Sequence, residues 1–503
     1  MILALILGVT AFFSRGYNHP DEHFQTIEFA AYKTGAIDAS SLAWEFSARI
    51  RPWLQPACYY VIMKIADAAG VRDPFTIAAI LRYVSAFFAW FMLSSMMLCA
   101  YHFFDDPSQR KWAVYSMVLL SFLPYMFVRT SSESLSSSFS MIGFAVLILG
   151  STPVSSGSMT GRLTERNYSN PLLFITGILW GLAFEFRYQV AFLLAGFIFW
   201  IFFISIRNKK QALIQVLVIS GGFFAAVIPA TFLDWWGYGS FTIAPVNYFY
   251  QNIILDKSSN YGTMPFYGYL QLMLGNRRYA VMMFVILAGS IAGIIRYPKH
   301  PFSWGVIVFL FIHSMIAHKE LRFLMSILIP ALFLMVSGFS PKTEKDAVFK
   351  KIWKFRHSIP AMALYLLNIF ILLSYATGFQ SAAEVQFEYY IYHNTVPPFR
   401  AYALKTRSNK TPLEHGFYRP RGLEIDAGES FGGIIQDARG KKEFFVIISP
   451  PETDMDSLYV PSGYAMNKEY AYKGRDIYSL TKELFGKKNE ELWVLYKFTA
   501  QDG

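Results

Sequence analysis

Two adjacent carboxylates, Asp21 and Glu22, follow the apolar stretch Met1–Phe13 within the segment Asn18–Glu28. Ionisable groups at the boundary of a bilayer are costly to desolvate, so they are usually paired or used. Neighbouring side chains on a helix or strand point in different directions, which predicts two different tasks. One carboxylate could accept a proton from a substrate hydroxyl while the other orients it. The alternative is a helix N-terminus that Asp21 caps, which would leave Glu22 free.

A second charged cluster, His318–Phe323, lies between two apolar runs with almost no spacer. Its basic side chains, His318, Lys319 and Arg322, could hold a phosphate at the membrane boundary, because cationic side chains form strong hydrogen bonds with phosphate. The alternative is a tight turn whose cations extend toward the headgroups.

Further polar and aromatic side chains stand near the ends of apolar runs. For the charged ones, a contact with a ligand and a local ion pair fit the pattern equally well. The aromatic ones could stack on sugar rings or form a belt at the membrane interface. They include Trp44, Glu45, Arg49, Arg51, Arg129, Glu133, Glu185, Arg187, Trp235 and Tyr261.

The composition is that of a membrane protein. Of the 503 residues, 54% are hydrophobic and only 16% are charged, which is too apolar for a soluble protein of this length. The net charge of +11 does not indicate a nucleic-acid partner, because the basic residues fall in short loops between apolar runs. Two cysteines, Cys58 and Cys99, exclude a disulfide framework or a cysteine-based metal site. Met1–Phe13 lacks a basic start and a cleavage site, so we expect a retained helix.

Eleven apolar runs are candidate membrane spans, since a span needs about 20 mostly apolar residues, fewer where its ends are interfacial. Residues 55–69 fit a further buried or re-entrant helix. No repeat period is visible, which excludes solenoid architectures. The candidate spans are residues 1–14, 76–104, 112–128, 134–150, 171–186, 188–206, 212–233, 279–296, 302–317, 321–340 and 359–376.

The basic residues between these runs favour one topology. With the N-terminus in the cytoplasm, every cluster falls in a cytoplasmic loop, as the positive-inside rule requires. The opposite side then receives the loops 15–75 and 234–278, the turns at Arg129, Phe184–Gln189 and His318, and the tail 377–503. We therefore expect the unusual charged residues to converge on one non-cytoplasmic surface. The cytoplasmic clusters are Arg110 and Lys111; Arg162 and Arg166; Arg207, Lys209 and Lys210; Arg296 and Lys299; and Lys342, Lys345, Lys350, Lys351, Lys354 and Arg356.

The tail changes character from about Gln380 onward, where charges and turn residues become frequent. Two runs, Phe444–Ile448 and Leu492–Phe498, are typical of strands. We predict a transmembrane domain over residues 1–376 and a small α/β soluble domain over residues 377–503, on the non-cytoplasmic side.

The charged segments resemble, in order along the chain, the motifs of glycosyltransferase family 22. That family holds the GPI-anchor mannosyltransferases and the α-mannosyltransferases that build lipid-linked oligosaccharides. The resemblance runs from residue 19 to about residue 340 and is specific as a set, although Met264 stands where the family has a histidine. The matching segments are His19–Gln25; Leu42–Phe46 followed by Arg49–Pro52; Arg129–Glu133; Tyr261–Pro265; and His318–Phe323.

The resemblance implies an α-helical polytopic membrane protein of the GT-C fold, with about 11 transmembrane helices. It implies an inverting transferase that moves mannose from polyprenyl (dolichyl) phosphate to a glycolipid acceptor in α-linkage. No metal or other cofactor is required by the pattern, and membrane lipids are the expected surroundings. The active site would face the non-cytoplasmic side of the endoplasmic reticulum membrane in a eukaryote, or of the inner or plasma membrane in a bacterium.

The site residues then take roles that remain expectations. Asp21 would be the base, Glu22 would position Asp21 or the acceptor, and His318, Lys319 and Arg322 would hold the donor phosphate. The expected substrate contacts are Trp44, Glu45, Arg129, Arg187 and Tyr261. Two other functions stay open: a transporter or flippase of lipid-linked sugars, which also uses intramembrane charges, and a GT-C transferase with another sugar, such as glucose or aminoarabinose.

Overall fold

The computed structural model describes most of the chain. The described residues are 1–153, 166–205, 208–275, 280–341, 346–377, 383–395, 399–404, 415–420, 422–449, 459–472 and 493–501. Six residues singled out in the sequence, Arg162, Arg207, Lys342, Lys345, Gln380 and Leu492, lie outside these ranges.

Helices occupy all eleven predicted spans. They are Ile2–Phe13, Pro74–Phe103, Pro107–Leu119 with Leu123–Val128, Ser132–Leu149, Asn170–Phe186, Tyr188–Ser205, Lys209–Tyr238, Ala280–Arg296, Pro301–Met315, Leu321–Phe339 and Ile359–Thr377.

Length and composition qualify fewer of these helices as full spans. Within the described ranges, six are long and apolar enough to cross a membrane. A seventh span results if Ala280–Arg296 and Pro301–Met315, between which the chain bends by 119°, are taken as one. Ile2–Phe13 and Asn170–Phe186 are apolar but shorter. The chain is therefore a helical membrane protein, and the total of about 11 spans stays a prediction.

The span predicted at residues 112–128 consists of two helices, because the chain leaves the helical conformation at Leu120. Pro124 has no N–H for the carbonyl of Leu120, and its ring would clash with that carbonyl in a continuous helix. The side chain of Asn368 fills the break: its Nδ2 donates to the Leu119 carbonyl at 2.6 Å, and its Oδ1 accepts from the N–H of Ser121 at 3.0 Å.

Glycines let two helix pairs approach closely. A Cβ at Gly177 would lie 2.1 Å from the carbonyl oxygen of Ile219, and one at Gly338 would lie 2.0 Å from that of Gly289. Asn170–Phe186 is thereby packed against Lys209–Tyr238, as small residues permit in membrane bundles.

The two long loops contain short helices that build one side of the site. Residues 15–75 form His23–Ile27, Glu28–Thr34, Ala39–Ser41, Trp44–Ala48 and Leu54–Ala68, and residues 234–278 form Ala244–Phe249, Tyr250–Ile254, Lys257–Tyr261 and Gly268–Gly275. Leu54–Ala68 confirms the helix predicted at residues 55–69. Its buried side chains recur every three or four positions, so one face is packed against the protein: Gln55, Tyr59, Met63 and Ala66.

The tail builds a five-stranded mixed sheet among the described residues. The spatial order is Leu423–Gly428, Phe399–Leu404, Glu443–Ile448, Trp493–Ala500 and Tyr464–Tyr472. Both predicted strands are present, at Glu443–Ile448 and Trp493–Ala500. Helix Phe431–Asp437 covers one face and helix Ala383–Asn394 the other, because alternate strand residues point to opposite faces. The boundary at residue 377, and the solubility of this unit, stay predictions.

Both cysteines are free. Cys58 is exposed on Leu54–Ala68, and Cys99 is fully buried on Pro74–Phe103. One further short helix, Ala347–Phe355, connects the last two spans.

Candidate active site

A cavity of about 960 Å³ lies between the two long loops and the neighbouring helix ends. Its wall combines charged groups with apolar side chains such as Phe192, Phe249 and Ile312. Seven of the ten predicted site residues line it, although they come from four distant parts of the chain: Asp21, Trp44, Glu45, Arg187, Tyr261, His318 and Arg322. The other three, Glu22, Arg129 and Lys319, are not part of the wall.

Asp21 stands at the charged end of the cavity and is paired with Arg322. Its Oδ2 lies 2.7 Å from Nη2 of Arg322 and 3.8 Å from Nη2 of Arg51, and its Oδ1 lies 3.4 Å from Nδ1 of His19. Burial favours the neutral acid, but hydrogen bonding with His19 and the charges of Arg322 and Arg51 outweigh it. They hold the pKa of Asp21 well below its usual range. The carboxylate is therefore ionised and partly exposed to the cavity.

Arg322 is shared among three carboxylates. Besides Asp21, its Nε lies 2.5 Å from Oε2 of Glu320, and its Nη1 lies 3.2 Å from Oε1 of Glu133. Burial alone would raise the pKa of Glu320, but hydrogen bonds and charge from Arg322 and His318 lower it to about 2. The predicted phosphate-binding guanidinium thus already has anionic partners.

Glu133 links Arg322 to a second cation of the wall. Its Oε1 lies 3.2 Å from Nη2 of Arg187, whose Nε donates to Gln189 at 3.0 Å. A parallel contact occurs in the first loop, where Oε1 of Glu45 lies 3.5 Å from Nη2 of Arg51. Charged pairs therefore extend across the whole polar end of the cavity.

Glu22 is not part of the cavity wall, so of its two predicted roles its place fits the positioning of Asp21 and not a contact with the acceptor. Its Oε1 accepts from the N–H groups of Asn18 at 2.8 Å and His19 at 3.2 Å. Its Oε2 accepts from Nε of Arg129 at 2.8 Å, and both side chains are at most 2% exposed. Glu22 fixes the turn that presents Asp21.

Arg129 is likewise not placed to contact a substrate, contrary to the prediction. Besides Glu22, it donates to the carbonyl of Ser14 at 2.6 Å and to that of Gly16. All of its polar atoms are used inside the protein, where they tie the end of the first helix to the loop that follows.

Lys319 also departs from its predicted role. Its Nζ donates to the carbonyls of Ile316 at 2.5 Å and Met264 at 3.2 Å, and the residue is 5% exposed. The N–H of Met264 donates to the carbonyl of Ala317 at 2.9 Å. Lys319 therefore fastens the loop 261–268 to the turn before Arg322 instead of facing a ligand.

His318 and Trp44 each contact the second long loop, residues 234–278, at the opening of the cavity. Nε2 of His318 lies 2.8 Å from Oε1 of Glu320, and its Nδ1 lies 3.0 Å from the carbonyl oxygen of Gly262. Nε1 of Trp44 donates to the hydroxyl of Tyr261 at 2.7 Å. The side chains of Trp44 and Tyr261 thus join the first long loop to the second at the entrance of the cavity.

Four functional candidates were missing from the predicted set: His19, Arg51, Glu133 and Glu320. Each lies in a segment that the sequence did single out, but the pattern did not show that His19, Arg51 and Glu320 line the cavity and that Glu133 pairs with cations of its wall. Among the described residues, no group of three His, Cys, Asp or Glu side chains has an arrangement that could hold a metal ion.

Comparisons with known proteins point to one family. A family model described as the Alg9-like mannosyltransferase family matches residues 1–407. Mannosyltransferase APTG1 of Arabidopsis thaliana is 24% identical over 66% of this chain and 56% of that protein. GPI mannosyltransferase 3 of Drosophila melanogaster is 22% identical over 68% of this chain and 55% of that protein. The chain thus spans little more than half the length of these relatives.

Among solved structures, the chain is similar to ArnT from Cupriavidus metallidurans bound to undecaprenyl phosphate. The TM-score is 0.55 at 12% identity, and the match covers 98% of this chain and 96% of that one. At this level of identity the likeness shows the GT-C fold alone.

Proposed function

The chain belongs to the Alg9-like mannosyltransferase family, and on that premise we propose that it transfers mannose from a polyprenyl (dolichyl) phosphate to a glycolipid acceptor. The transfer inverts the anomeric carbon and forms an α-linkage. The names of its relatives, GPI mannosyltransferases among them, support the sugar and the glycolipid acceptor. Its structural neighbour was solved with undecaprenyl phosphate bound, which supports a lipid-phosphate donor.

One observation carries the proposal: an ionised carboxylate, Asp21, stands 2.7 Å from a guanidinium, Arg322, on the wall of a cavity large enough for two substrates. A single inverting displacement needs one base for the attacking hydroxyl and cationic groups for the departing phosphate. Asp21 takes the first role and Arg322 the second. Inversion requires no second carboxylate as nucleophile, so Glu22 can be buried.

The bonds and protons of this step balance without a further reactant. The acceptor hydroxyl gives its proton to Asp21, and its oxygen forms the new bond to the anomeric carbon of mannose. The bond from that carbon to the phosphate oxygen breaks, and the phosphate leaves with the electron pair. The product phosphate gains the negative charge that Asp21 loses.

The phosphate would compete with carboxylates for Arg322. A carboxylate beside a guanidinium is a weak base, because the cation stabilises its charged form. When a donor phosphate draws Arg322 toward itself, Asp21 loses part of that stabilisation and becomes a stronger base. His318 and Arg187, also on the wall, are the further groups we assign to the phosphate. Lys319 drops out of this set, since its ammonium group is held by backbone carbonyls.

The sugar subsite is assigned to the entrance of the cavity. Trp44, Glu45 and Tyr261 present aromatic faces and a carboxylate there, which suits the faces and hydroxyls of sugar rings. The integral membrane protein would place this entrance on the non-cytoplasmic side, with residues 1–376 as catalytic domain and residues 377–503 on the same side. That membrane is the endoplasmic reticulum in a eukaryote, or the inner or plasma membrane in a bacterium.

Asp21→Asn tests the function, because it removes the proton acceptor with little change of shape. Purified protein in detergent is given radiolabelled polyprenyl-phosphate mannose and a panel of glycolipid acceptors. We expect a rate loss of about 10²- to 10⁴-fold, the usual contribution of a general base. Asp67→Asn is the matched control, since Asp67 is exposed and pairs with the exposed Arg72 at 3.5 Å. Near-normal turnover by Asp21→Asn would refute the assignment.

The same assay separates transfer from transport. No gradient exists across detergent micelles, so a transporter or flippase would form no labelled product. Donors that carry glucose or aminoarabinose, tested in parallel, decide whether mannose is the sugar. Label transferred only from one of these other donors would contradict the proposed sugar while leaving the transferase chemistry in place.

A further inference from the structure

The first loop is packed against a part of the chain that lies beyond the family match. That match ends at residue 407, whereas His415 and the turn Gly416–Tyr418 lie after it. The side chain of His415 is 2% exposed, and its Nδ1 lies 2.8 Å from Oε1 of Glu388, which is equally buried. A buried ionisable pair of this kind needs a function or a structural reason, because burial of charge is costly.

His415 contacts the loop on both sides of Asp21. Its Nε2 lies 3.2 Å from the hydroxyl of Tyr17, four residues before Asp21. Its ring stacks on Phe24, three residues after Asp21, with 5.2 Å between ring centres, and meets the ring of His23 edge to face at 4.7 Å. Phe24 is itself part of the cavity wall. One imidazole thus bridges the two ends of the segment that presents the proposed base.

A second contact from the tail secures the start of the same loop. The guanidinium of Arg15 lies 3.6 Å from the ring centre of Tyr389, and its Nη1 donates to Oε1 of Gln386 at 3.2 Å. Both partners lie on helix Ala383–Asn394, which also carries Glu388. The tail therefore holds the loop through one helix and one turn that are joined by the His415–Glu388 pair.

The backbone of the loop needs such support. After Asp21 the chain forms the wide turn His23–Ile27, a π-helix, which is a rare conformation often found at functional sites. Next to the turn that bears His415, a Cβ at Gly416 would lie 2.8 Å from Cγ2 of Ile37, so the two segments are in close contact. Small shifts of this turn would be passed to the segment that holds Asp21.

We propose that His415 is a positioning residue, through which the tail fixes the loop bearing Asp21 and thereby sets the rate of transfer. The proposal rests on the proposed function for its kinetic consequence. It assigns to His415, which lies beyond the family match, an indirect part in the active site. His415 contacts no reacting atom; it acts through Tyr17, His23 and Phe24.

Kinetics of three substitutions test the proposal. His415→Ala removes the ring and both polar contacts, and we expect kcat to fall about 10- to 100-fold, since a misplacement near 1 Å has effects of this size. The KM for the donor should change less than about twofold, because the phosphate-binding groups are untouched. His415→Asn keeps a donor near the Glu388 carboxylate and should recover part of kcat. His415→Phe keeps the stacking on Phe24, and its kcat should lie between those of His415→Ala and His415→Asn.

A control substitution separates positioning from general damage to the tail. Phe444→Leu removes apolar contacts from the sheet face opposite helix Ala383–Asn394, away from the loop. We expect a lower melting temperature with unchanged kcat. Equal loss of kcat in Phe444→Leu and His415→Ala would overturn the proposal. The loss would then come from the lower stability of the tail and not from the missing contact between His415 and the loop that bears Asp21.

Hydrogen exchange decides the question without substrate. In His415→Ala, exchange over residues 15–28 should accelerate, while exchange in helix Pro74–Phe103 should stay as in the parent protein. If the parent transferred no mannose, the proposed function would fail, yet this comparison would still test the contact. Unchanged exchange over residues 15–28 would refute the positioning role, whatever the kinetics show. If His415→Ala did not fold, His415→Phe would give the same readout.

Discussion

The buried pair of Glu22 and Arg129 offers a sharp test, since the sequence suggests a substrate contact for Arg129 and the structure shows all of its polar atoms bound inside the protein. Arg129→Met replaces the guanidinium by an apolar chain of similar length. The carboxylate of Glu22 loses its 2.8 Å partner, and the carbonyls of Ser14 and Gly16 lose their donors. Breaking a buried ion pair by removing one member costs about 3–5 kcal/mol, because the remaining charge is uncompensated.

The double variant that combines Glu22→Gln with Arg129→Met tests the expected cost in stability a second time. Glu22→Gln alone leaves the Arg129 charge buried and should also destabilise the protein by a few kcal/mol, roughly as other broken buried pairs do. Glu22→Gln combined with Arg129→Met buries no charge at this site. Its cost should therefore be below the sum of the single costs by about 0.5–3 kcal/mol, the usual coupling between contacting residues.

A thiol-reactive fluorophore can follow unfolding in detergent, because Cys99 is fully buried and becomes reactive only when the helices separate. Cys58 is exposed and is first replaced by serine. Arg129→Met should label at a clearly lower temperature than its parent, whereas Asp21→Asn should label at a similar one. If Arg129→Met kept the parental profile and only raised KM, Arg129 would bind substrate and our interpretation of the buried pair would be wrong.

Two other predictions concern the base and the helix packing. The pKa of Asp21 is lowered by its neighbours, so the carboxylate stays ionised below the usual range of an aspartate, and the stability that its pairs contribute is lost progressively as pH falls from the ordinary pKa to the lowered one. Arg322→Gln removes one of the charges that lower the pKa of Asp21. The fall of kcat/KM at acid pH should therefore occur at a higher pH than in the parent protein. An unchanged pH profile would contradict the pairing of Asp21 with Arg322. Gly177→Leu should abolish the monodisperse detergent-solubilised protein seen by size-exclusion chromatography, since its Cβ would lie 2.1 Å from the Ile219 carbonyl oxygen; normal elution would contradict the close approach.

The convergence of distant residues was predictable from topology. Asp21 and Arg322 are 301 positions apart, yet both stand where an apolar run meets the same predicted side of the membrane. Charge placement between apolar runs was enough to bring the two segments to one surface. The positions of the helices were predictable for the same reason, because about 20 apolar residues per run leave little choice of structure.

The orientation of individual side chains was not predictable. Asp21 and Glu22 are neighbours in the first turn of a short helical segment that continues into the π-helix His23–Ile27, and one turn is too short for a hydrophobic period to show which of them faces the cavity. In the same way Lys319 and Arg322 share a short motif, but only Arg322 turns inward. A break such as that at Leu120 depends on Pro124 and on Asn368, which is 247 positions from Ser121, so local hydropathy did not reveal it.

In the proposed reaction, the guanidinium of Arg322 pairs first with the carboxylate of Asp21 and then with the departing phosphate. The charges at the polar end of the cavity are consistent with this exchange. Among the described residues, Asp21, Glu133 and Glu320 are paired with Arg322. An additional anion would therefore compete with three carboxylates for this guanidinium. Under the proposed reaction, Asp21 becomes neutral in the same step in which the phosphate gains charge. Its attraction for Arg322 then weakens while that of the phosphate grows, and the net charge of the cavity stays constant. A base paired with the cation that later receives the leaving group is therefore suited to a transfer in which proton and phosphate exchange charge inside a poorly solvated site.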